Sequence, residues 1–340
     1  MRAAAILGLG SSMRDLRPFQ LESTEWVMGL PSQPAELNAI LIFGGDGTLH
    51  RHLRALVKLG LPALVIPAGS GNDFARALGL LRVRDSLTAW RKFVAGAQNV
   101  RVVDLGMITP IGDYADTTAK AALEESAEAA RLKECRDTTH LDSNTPTMQR
   151  RSVFFSCAAG VGLDGEIARR ANALPRWLRA HGGYALSLPA ALLHFRPFLL
   201  TLESVTNNSA CQAPSGKRQS VTAAIFANTP FYGGGMKIAP RANMADGSLD
   251  ACIIRDISRL KLASVFPSVY FGRHLGIREV EYFPIERARV ETETPFDVYA
   301  DGEYVCRTPI EIGVAKSALR VIVPDHLLAA SEGANTATAV

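Results

Sequence analysis

Short apolar runs alternate with amphipathic stretches over the first third of the chain. The runs AAAILGL, NAILIFGG and PALVIPAG are separated by stretches such as LHRHLRALVKLG, in which apolar residues recur at helical spacing. Strands that alternate with helices are typical of a parallel α/β sheet. Each run ends in a Gly-rich turn, where backbone N–H groups face an anion above the strand ends. The pattern predicts a Rossmann-like α/β domain over residues 1–105 that binds a phosphate-bearing ligand.

From residue 106 onward the pattern changes to short β-rich runs separated by turn signals. Examples are SVFFSCAAGVGL, FLLTLESV, VTAAIFAN and FDVYADGEYV. This spacing predicts an antiparallel sheet or sandwich over residues 106–315, with attached helices, one of them over residues 257–272. Residues 116–149 are polar and rich in Ala and Thr, which predicts an inserted surface helix with mobile flanks. Residues 329–340 are expected to be a disordered tail.

Composition and charge narrow the class of protein. The chain has 340 residues, 47% of them hydrophobic, and a formal net charge of +4 that is spread along its length. These values indicate a folded protein of one large or two medium domains and give no sign of a nucleic-acid binder. The five cysteines include no Cys-x-x-Cys pair, so we expect a reducing cytoplasm and no zinc site. The most apolar later stretch, YALSLPAALLHFRPFLLTL, contains Arg and Pro residues that argue against a transmembrane helix.

The strongest local motif follows the second apolar run. Gly44, Gly45 and Gly47 surround Asp46, and Thr48 follows before a helical stretch. Glycines let the backbone approach phosphate oxygens closely, while Asp46 can hold Mg²⁺ or orient a hydroxyl group. A tight strand-to-helix turn capped by Asp46 is the alternative.

A second Gly-rich motif follows the next predicted strand. It contains Gly69, Ser70, Asn72 and Asp73 ahead of another helix. Ser70 can donate its hydroxyl to a phosphate, and Asn72 and Asp73 can either cap the helix or contact a ligand. A Walker P-loop, the protein-kinase motifs and a Gly-x-Ser-x-Gly elbow are absent from the sequence. His50 and His52 lie on different faces of one helix, where we expect them to be solvated.

These two motifs and four others, in the same order, resemble the soluble lipid kinases with a diacylglycerol kinase catalytic domain. That family includes bacterial diacylglycerol kinases and the sphingosine and ceramide kinases. The four further motifs are Ala159-Gly160-Val161-Gly162-Leu163-Asp164, the run from Asn228 to Pro240, Ala245-Asp246-Gly247-Ser248-Leu249-Asp250 and Asp301-Gly302-Glu303. The resemblance implies an N-terminal nucleotide domain and a C-terminal β-sandwich. It also implies that residues 316–328 return to the first domain, with the active site between the two.

The resemblance further implies site residues. ATP phosphates are expected at the two Gly-rich loops, on Gly44, Gly45, Gly47, Thr48, Gly69, Ser70, Asn72 and Asp73. Asp301 is similar to the general base of the bacterial enzymes, with Glu303 beside it, and Asp164 matches another acid of the cleft. Other branches of the family give the base role to the position of Asp46, so Asp46 and Asp301 are rivals. Asp301-Gly302 is also a hairpin-turn signal, which is compatible with either role.

A structural Mg²⁺ is implied at Asp246, together with the backbone carbonyls of Asn243 and Ser248. The alternative is that Asp246-Gly247 is simply a turn. At the N-terminus, Leu7-Gly8-Leu9-Gly10-Ser11-Ser12 departs from the usual family pattern, although its backbone N–H groups can still face a nucleotide.

Together these observations predict a cytoplasmic, peripherally membrane-associated kinase that uses ATP and Mg²⁺ to phosphorylate a lipid hydroxyl, with diacylglycerol as the default acceptor. The alternatives are an NAD kinase-like enzyme and a nonenzymatic lipid or nucleotide sensor. A homodimer is compatible with the sequence. The basic stretch with Arg169, Arg170, Arg176, Trp177 and Arg179 is either a solvated helix face or the membrane contact.

Overall fold

The structure is a computed structural model of the chain. It describes residues 1–30, 37–111, 152–174, 187, 189–192, 195–205, 216 and 218–325. The predicted insertion at 116–149 and the predicted tail at 329–340 lie outside the described residues, as do Arg176, Trp177 and Arg179.

Four parallel strands form the N-terminal half of the sheet. They are β1 (Arg2–Leu7), β2 (Glu25–Met28), β3 (Ala39–Gly44) and β4 (Ala63–Pro67), and they lie side by side in the order β2-β1-β3-β4. The parallel α/β prediction is confirmed. Strand β2 was not anticipated from the sequence, because it is a short edge strand without a buried residue. The strand order changes direction between β1 and β3, and in open α/β sheets ligands bind beyond the strand ends at such a point.

Helices connect these strands. They are α1 (Met13–Leu16), α2 (Asp46–Leu59), α3 (Asp73–Ala77) and α4 (Val83–Val94). Helix α2 buries Leu49, Leu53 and Leu56, whose spacing places them on one face. It ends at Gly60, which adopts the left-handed conformation that favours glycine. Both α2 and α3 begin directly after a strand, so their N-termini lie at the edge where β3 and β4 end.

The remaining strands form the C-terminal half and the connection to it. They are β5 (Val100–Pro110), β6 (Val153–Phe155), β7 (Ala158–Gly162), β8 (Phe198–Ser204), β9 (Gln219–Ala227), β10 (Leu249–Arg255), β11 (Val280–Ile285), β12 (Arg287–Thr292), β13 (Asp297–Ala300), β14 (Glu303–Arg307) and β15 (Ile310–Ile322). Apart from one parallel pairing between β15 and β4, their pairings are antiparallel. Their inward side chains form a separate apolar core. The structure thus confirms the predicted C-terminal β-sandwich.

A long two-stranded ribbon joins the two halves. Strands β5 and β15 pair along their lengths, with a bulge between Ala315 and Leu319. At its far end β15 pairs with β4 in parallel through Val321 and Ala63. Leu319, Val321 and their neighbours lie in the N-terminal core, whereas Ile310 at the start of the strand lies in the sandwich core.

Two helices pack on the sandwich, α5 (Leu163–Ala173) and α6 (Arg259–Val269). Helix α5 ends before Pro175, and α6 confirms the helix predicted within residues 257–272, with Pro267 in its last turn. Across the part of the chain that the structure describes, no helix is both long and apolar enough to cross a membrane.

Candidate active site

A cleft of about 460 Å³ lies between the two halves, above the ends of β3 and β4. It brings together most of the residues expected at the site. Those that line it are Gly45, Asp46, Gly47, Thr48, Gly69, Ser70, Asp73, Asp164, Asp301 and Glu303. Acidic side chains and Gly-rich loops from distant parts of the sequence therefore share one cleft.

The two Gly-rich loops touch each other through their backbones. A Cβ atom on Gly69 would lie 2.4 Å from the Cα of Gly45, and one on Gly44 would lie 2.6 Å from the Thr48 side chain. A side chain at Gly69 would displace the first loop, and one at Gly44 would displace Thr48 within its own loop. The glycines are therefore required by packing within the protein as well as being suited to phosphate.

The N-terminus of α2 faces the cleft. Its N-cap residue is Gly45, which supplies no side-chain hydrogen bond, and Asp46, Gly47 and Thr48 of its first turn all line the cleft. The first N–H groups of a helix carry a partial positive charge and bind anions. The first turn of α2 is thus suited to a phosphate group.

Asp46 caps the N-terminus of α3, the helix that follows the second Gly-rich loop. Its Oδ2 accepts a hydrogen bond from the Asp73 amide at 2.8 Å and its Oδ1 accepts one from the Phe74 amide at 3.1 Å. Burial raises the pKa of Asp46 to about 7, and the charge of Asp73 adds to this rise, while the two amide hydrogen bonds oppose it. Asp46 therefore caps α3 rather than its own helix, and it exchanges protons near neutral pH.

Asn72 and Asp73 both hold loops in place. The Asn72 side chain bonds the backbone N–H and C=O of Gly69 within its own loop, and it makes no cap hydrogen bond to α3. Asp73 pairs with Arg76, and it accepts a hydrogen bond from the Gly234 amide of the opposite half at 2.7 Å. Burial raises the pKa of Asp73, and the Gly234 amide and Arg76 counteract that rise.

The hairpin between β13 and β14 places the last acidic motif. Asp301 and Gly302 have φ values of +50° and +83°, as a two-residue turn with the hairpin twist requires. The predicted hairpin is confirmed. The Asn172 side chain of α5 donates to the carbonyl of Gly302 at 2.6 Å, and this holds the hairpin tip at the cleft.

The Asp301 carboxylate is fully buried and surrounded by donors. Oδ2 accepts from the Ser156 amide at 2.8 Å and from its hydroxyl at 3.1 Å, and Oδ1 accepts from the Cys157 amide at 2.8 Å. Nδ1 of His50 lies 3.1 Å from Oδ2, and the His50 side chain is 10% exposed. His50 donates to this oxygen in the tautomer that carries its proton on Nδ1. The expectation that His50 is solvated is wrong, because the hairpin of the other half covers this face of α2.

Glu303 lies at a more open position on the same hairpin. Its carboxylate is 3.6 Å from the guanidinium of Arg51, and both side chains are nearly half exposed. An exposed pair of this kind contributes little to stability. A Cβ atom on Gly47 would lie 2.8 Å from Glu303, so the glycine lets the hairpin approach the start of α2.

Asp164 lies where the cleft meets a second cavity. It is 7% exposed, in the first turn of α5, and together with Tyr232 it lines both spaces. The second cavity, of about 50 Å³, lies beneath α6. Its other lining residues are nearly all apolar, among them Ile167, Ile225, Ile238, Leu262, Phe266 and Val269.

The predicted metal turn lies apart from the cleft. Asp246 and Asn243 are exposed, and Oδ1 of Asp246 accepts from the Ser248 amide at 3.0 Å and from its hydroxyl at 2.9 Å. Asp104 of β5 fixes the turn from below, since its carboxylate accepts from the amides of Gly247 and Ser317 at 2.8 and 2.6 Å. Sequence reasoning did not single out Asp104, and no local motif surrounds it.

The N-terminal loop also contributes to the site. The Gly8 amide and the Ser11 hydroxyl both donate to the carbonyl of Phe43, at 2.7 and 3.1 Å, and Leu9 lines the cleft. The N-terminal loop, which departs from the usual family pattern, is therefore packed against the first Gly-rich motif.

Comparisons with known proteins agree with this architecture. The family model described as diacylglycerol kinase catalytic domain matches residues 22–108, and the one described as YegS C-terminal NAD kinase beta sandwich-like domain matches residues 157–323. A diacylglycerol kinase of Mycobacterium tuberculosis (strain H37Rv) is 30% identical over 85% of this chain and 78% of its own. A diacylglycerol kinase of Bacillus subtilis (strain 168) is 26% identical over 85% of this chain and 78% of its own.

Solved structures agree on the fold. A structure described as a diacylglycerol kinase from Bacillus anthracis strain Sterne matches with a TM-score of 0.59 at 14% identity, covering 95% of this chain and 96% of that one. The two family models together define a kinase with a catalytic domain and a C-terminal sandwich-like domain. The chain belongs to the diacylglycerol kinase-like lipid kinases and is a lipid kinase enzyme of that family.

We expect replacement of His50 by Ala to lower kcat by about 10-fold or more, because a hydrogen bond to a charged group contributes about 1.5–3 kcal/mol. His50→Asn should restore most of the activity, since its amide can donate to Asp301 from a similar position. Steady-state kinetics on the purified variants measure both effects.

His52→Ala is the matched control, because His52 lies two residues along the same helix and has no hydrogen bond to the hairpin among the described contacts. Equal losses in the His50→Ala and His52→Ala proteins would contradict a specific role for the contact between His50 and Asp301.

Proposed function

We propose that this protein transfers the γ-phosphate of ATP, with Mg²⁺, to the hydroxyl group of a lipid, with diacylglycerol as the first acceptor to test. One observation carries the proposal. The cleft with the Gly-rich loops and buried carboxylates adjoins an apolar cavity, and Asp164 and Tyr232 line both. A polar reaction space beside an apolar one fits a substrate with a hydroxyl head and an acyl chain.

The nucleotide end of the cleft is assigned to the two Gly-rich loops. In this proposal the backbone amides of the first turn of α2 bind phosphate oxygens of ATP. The Ser70 hydroxyl donates a hydrogen bond to a further phosphate oxygen. Asn72 and Asp73 act indirectly, because their side chains already bond Gly69, Arg76 and Gly234. Mg²⁺ bound with ATP would neutralise part of the phosphate charge.

The lipid end is assigned to the cavity beneath α6. Apolar side chains from α5, β9 and α6 line it, which suits an acyl chain and disfavours a charged dinucleotide such as NAD. Its volume of about 50 Å³ is small, so a long chain requires α6 to shift outward. This arrangement supports a lipid acceptor over the NAD of the rival enzyme class.

Of the two candidate bases, the structure favours Asp46. A pKa of about 7 suits a group that accepts a proton at neutral pH. Each oxygen of Asp46 has one amide donor, whereas the Asp301 carboxylate has four surrounding donors and a fully buried side chain. We therefore assign Asp301 to positioning the hairpin and His50, and assign proton acceptance to Asp46.

The reaction balances with these roles. Asp46 accepts the proton of the lipid hydroxyl, and the oxygen of that hydroxyl forms a bond to the γ-phosphorus. The bond between that phosphorus and the bridging oxygen breaks, and ADP leaves with the electron pair. Asp164 lies where the head of the lipid would sit, and Glu303 lies at the rim of the cleft.

A structural Mg²⁺ is assigned to the turn at Asp246. Mg²⁺ in proteins commonly keeps several waters and binds one or two carboxylates. Asp246 is an exposed carboxylate oriented by Ser248, with the Asn243 and Ser248 carbonyls in the same turn, so the residues fit this requirement. Within the described residues no cluster of three or more His, Cys, Asp or Glu side chains could hold a metal. The proposed site uses one carboxylate together with backbone oxygens.

The first prediction of this proposal is that purified protein transfers labelled γ-phosphate from ATP to diacylglycerol in the presence of Mg²⁺. The assay includes monoacylglycerol, sphingosine, ceramide, phosphatidylglycerol and NAD as competing acceptors, and Asp46→Asn protein as the inactive control. Labelling of NAD alone would contradict the proposal. ATP binding without transfer to any acceptor would favour a sensor.

The second prediction concerns pH. Because Asp46 must be ionised to accept a proton, kcat/KM should rise with pH, with a midpoint near 7. Asp73→Asn removes a charge that raises the pKa of Asp46, so the midpoint should move down by roughly one unit. Glu25→Gln, on the distant edge strand β2, is the control and should leave the midpoint of the pH profile unchanged. A midpoint that stays unchanged in Asp73→Asn would point to Asp301 instead.

The third prediction concerns Mg²⁺ in the absence of nucleotide. A ligand that binds only the folded protein stabilises it by about 2.7 kcal/mol when the free ligand concentration is 100 times its Kd. Mg²⁺ should therefore raise the melting temperature of the wild type and not that of Asp246→Ala. Asp256→Ala, an exposed acid elsewhere on the sandwich, is the control. An equal rise in all three proteins would rule out a site at Asp246.

A further inference from the structure

An exposed aromatic pair follows the C-terminal end of α6. Phe271 is 72% exposed and Tyr270 is 37% exposed. The turn that carries them is ordered by hydrogen bonds from the Phe271 and Gly272 amides to the carbonyls of Ser268 and Val269, both 3.1 Å. Gly272 has a φ of +67°, which favours glycine at this turn. The Phe271 ring is therefore presented to solvent on a defined turn.

Two exposed cations, Arg273 and Lys237, lie close to this turn. The Arg273 guanidinium lies 6.0 Å from the centre of the Phe271 ring. The Cβ of Lys237 lies near Gly272, and its ammonium is 5.9 Å from the centre of the Phe231 ring. Neither of these cations forms an ion pair with any described residue. The segments 229–245 and 257–278, which meet here, contain no Asp or Glu. We call Lys237, Tyr270, Phe271 and Arg273 the Phe271 patch.

The Phe271 patch lies next to residues that line both cavities. Tyr270 lines the cleft, and Val269 and His274 on either side of the patch line the apolar cavity beneath α6. A bilayer held against this patch would therefore lie near both cavities.

We propose that the Phe271 patch docks on an anionic lipid bilayer, with the Phe271 ring in the interface and Lys237 and Arg273 on the headgroups. Aromatic rings lie favourably at the level of the headgroups, and basic side chains are attracted to anionic lipid. This inference rests on the proposed lipid acceptor, because it explains how the enzyme reaches a substrate that stays in a membrane.

The basic stretch predicted from the sequence is less suited to this role where the structure describes it. Arg169 and Arg170 both pair with Glu166, at 2.8 and 2.5 Å. Their charge is thus partly neutralised within α5, whereas the cations of the Phe271 patch have no described acidic partner.

Vesicle sedimentation tests the proposal. Full-length protein is mixed with vesicles of phosphatidylcholine alone or with about 30 mol % phosphatidylglycerol, a mixture whose surface attracts basic residues. Phe271→Ser should weaken binding to the anionic vesicles about 10-fold, and Arg273→Glu should weaken it at least about 5-fold. The matched controls are Met28→Ser, an exposed apolar residue on β2, and Arg91→Glu, an exposed cation on α4.

Kinetics separate docking from catalysis. The Phe271→Ser and Arg273→Glu proteins should keep the wild-type kcat/KM on dihexanoylglycerol dissolved as monomers, while their KM rises for diacylglycerol in anionic vesicles. Binding that is lost in both patch variants and kept in both controls supports the proposal, even if the acceptor proves to be another lipid.

Three outcomes would overturn the proposal. These are wild-type binding to neither vesicle, equal binding to neutral and anionic vesicles, and patch variants that bind as the wild type does. Phosphorylation of soluble dihexanoylglycerol in any of these cases would leave the proposed function intact and remove only the docking surface.

Discussion

The ribbon of β5 and β15 is the element on which the geometry of the cleft depends. The ribbon contributes to both apolar cores, because β15 starts in the sandwich and ends beside β4. The buried Asp104 carboxylate ties the bulge of this ribbon to the turn after Met244 by accepting from two backbone amides. A carboxylate buried in this way is stable only when donors surround it. The ribbon therefore sets the distance between the Gly-rich loops and the sandwich.

Several buried acidic side chains line the cleft, and a different set of hydrogen-bond donors surrounds each carboxylate. Asp301 is held by amide, hydroxyl and imidazole donors, and Asp73 by Arg76 and the Gly234 amide. Asp46 has only two amide donors against strong desolvation, so it is the acid whose pKa rises to about 7. The Cys157 thiol between them stays protonated, because burial holds its pKa well above its usual value. Burial also raises the pKa of Asp73, which Arg76 and the Gly234 amide counteract.

Local chemistry explains why much of the site was predictable. The Asp301-Gly302 turn forms where it was expected, because its two positive φ values suit this residue pair. The strands before the Gly-rich loops and the helices after them follow from apolar runs and helical periodicity. The six motifs led to the family, and the comparisons confirm it. The roles assigned to individual site residues stay predictions, since none of them follows from the fold alone.

The sequence by itself determined the fold class, the family and which residues carry oxygen ligands or glycines. Each of these depends on neighbours within a few positions of the chain. Tertiary structure alone decided that Asp46 caps the helix of the other loop, 27 residues away, and that His50 meets Asp301 across 251 residues. It also placed Phe271 beside Arg273, which forms no ion pair with any described residue, next to residues that line both cavities. Such contacts depend on how two halves pack through the β5–β15 ribbon, and no local periodicity records that packing.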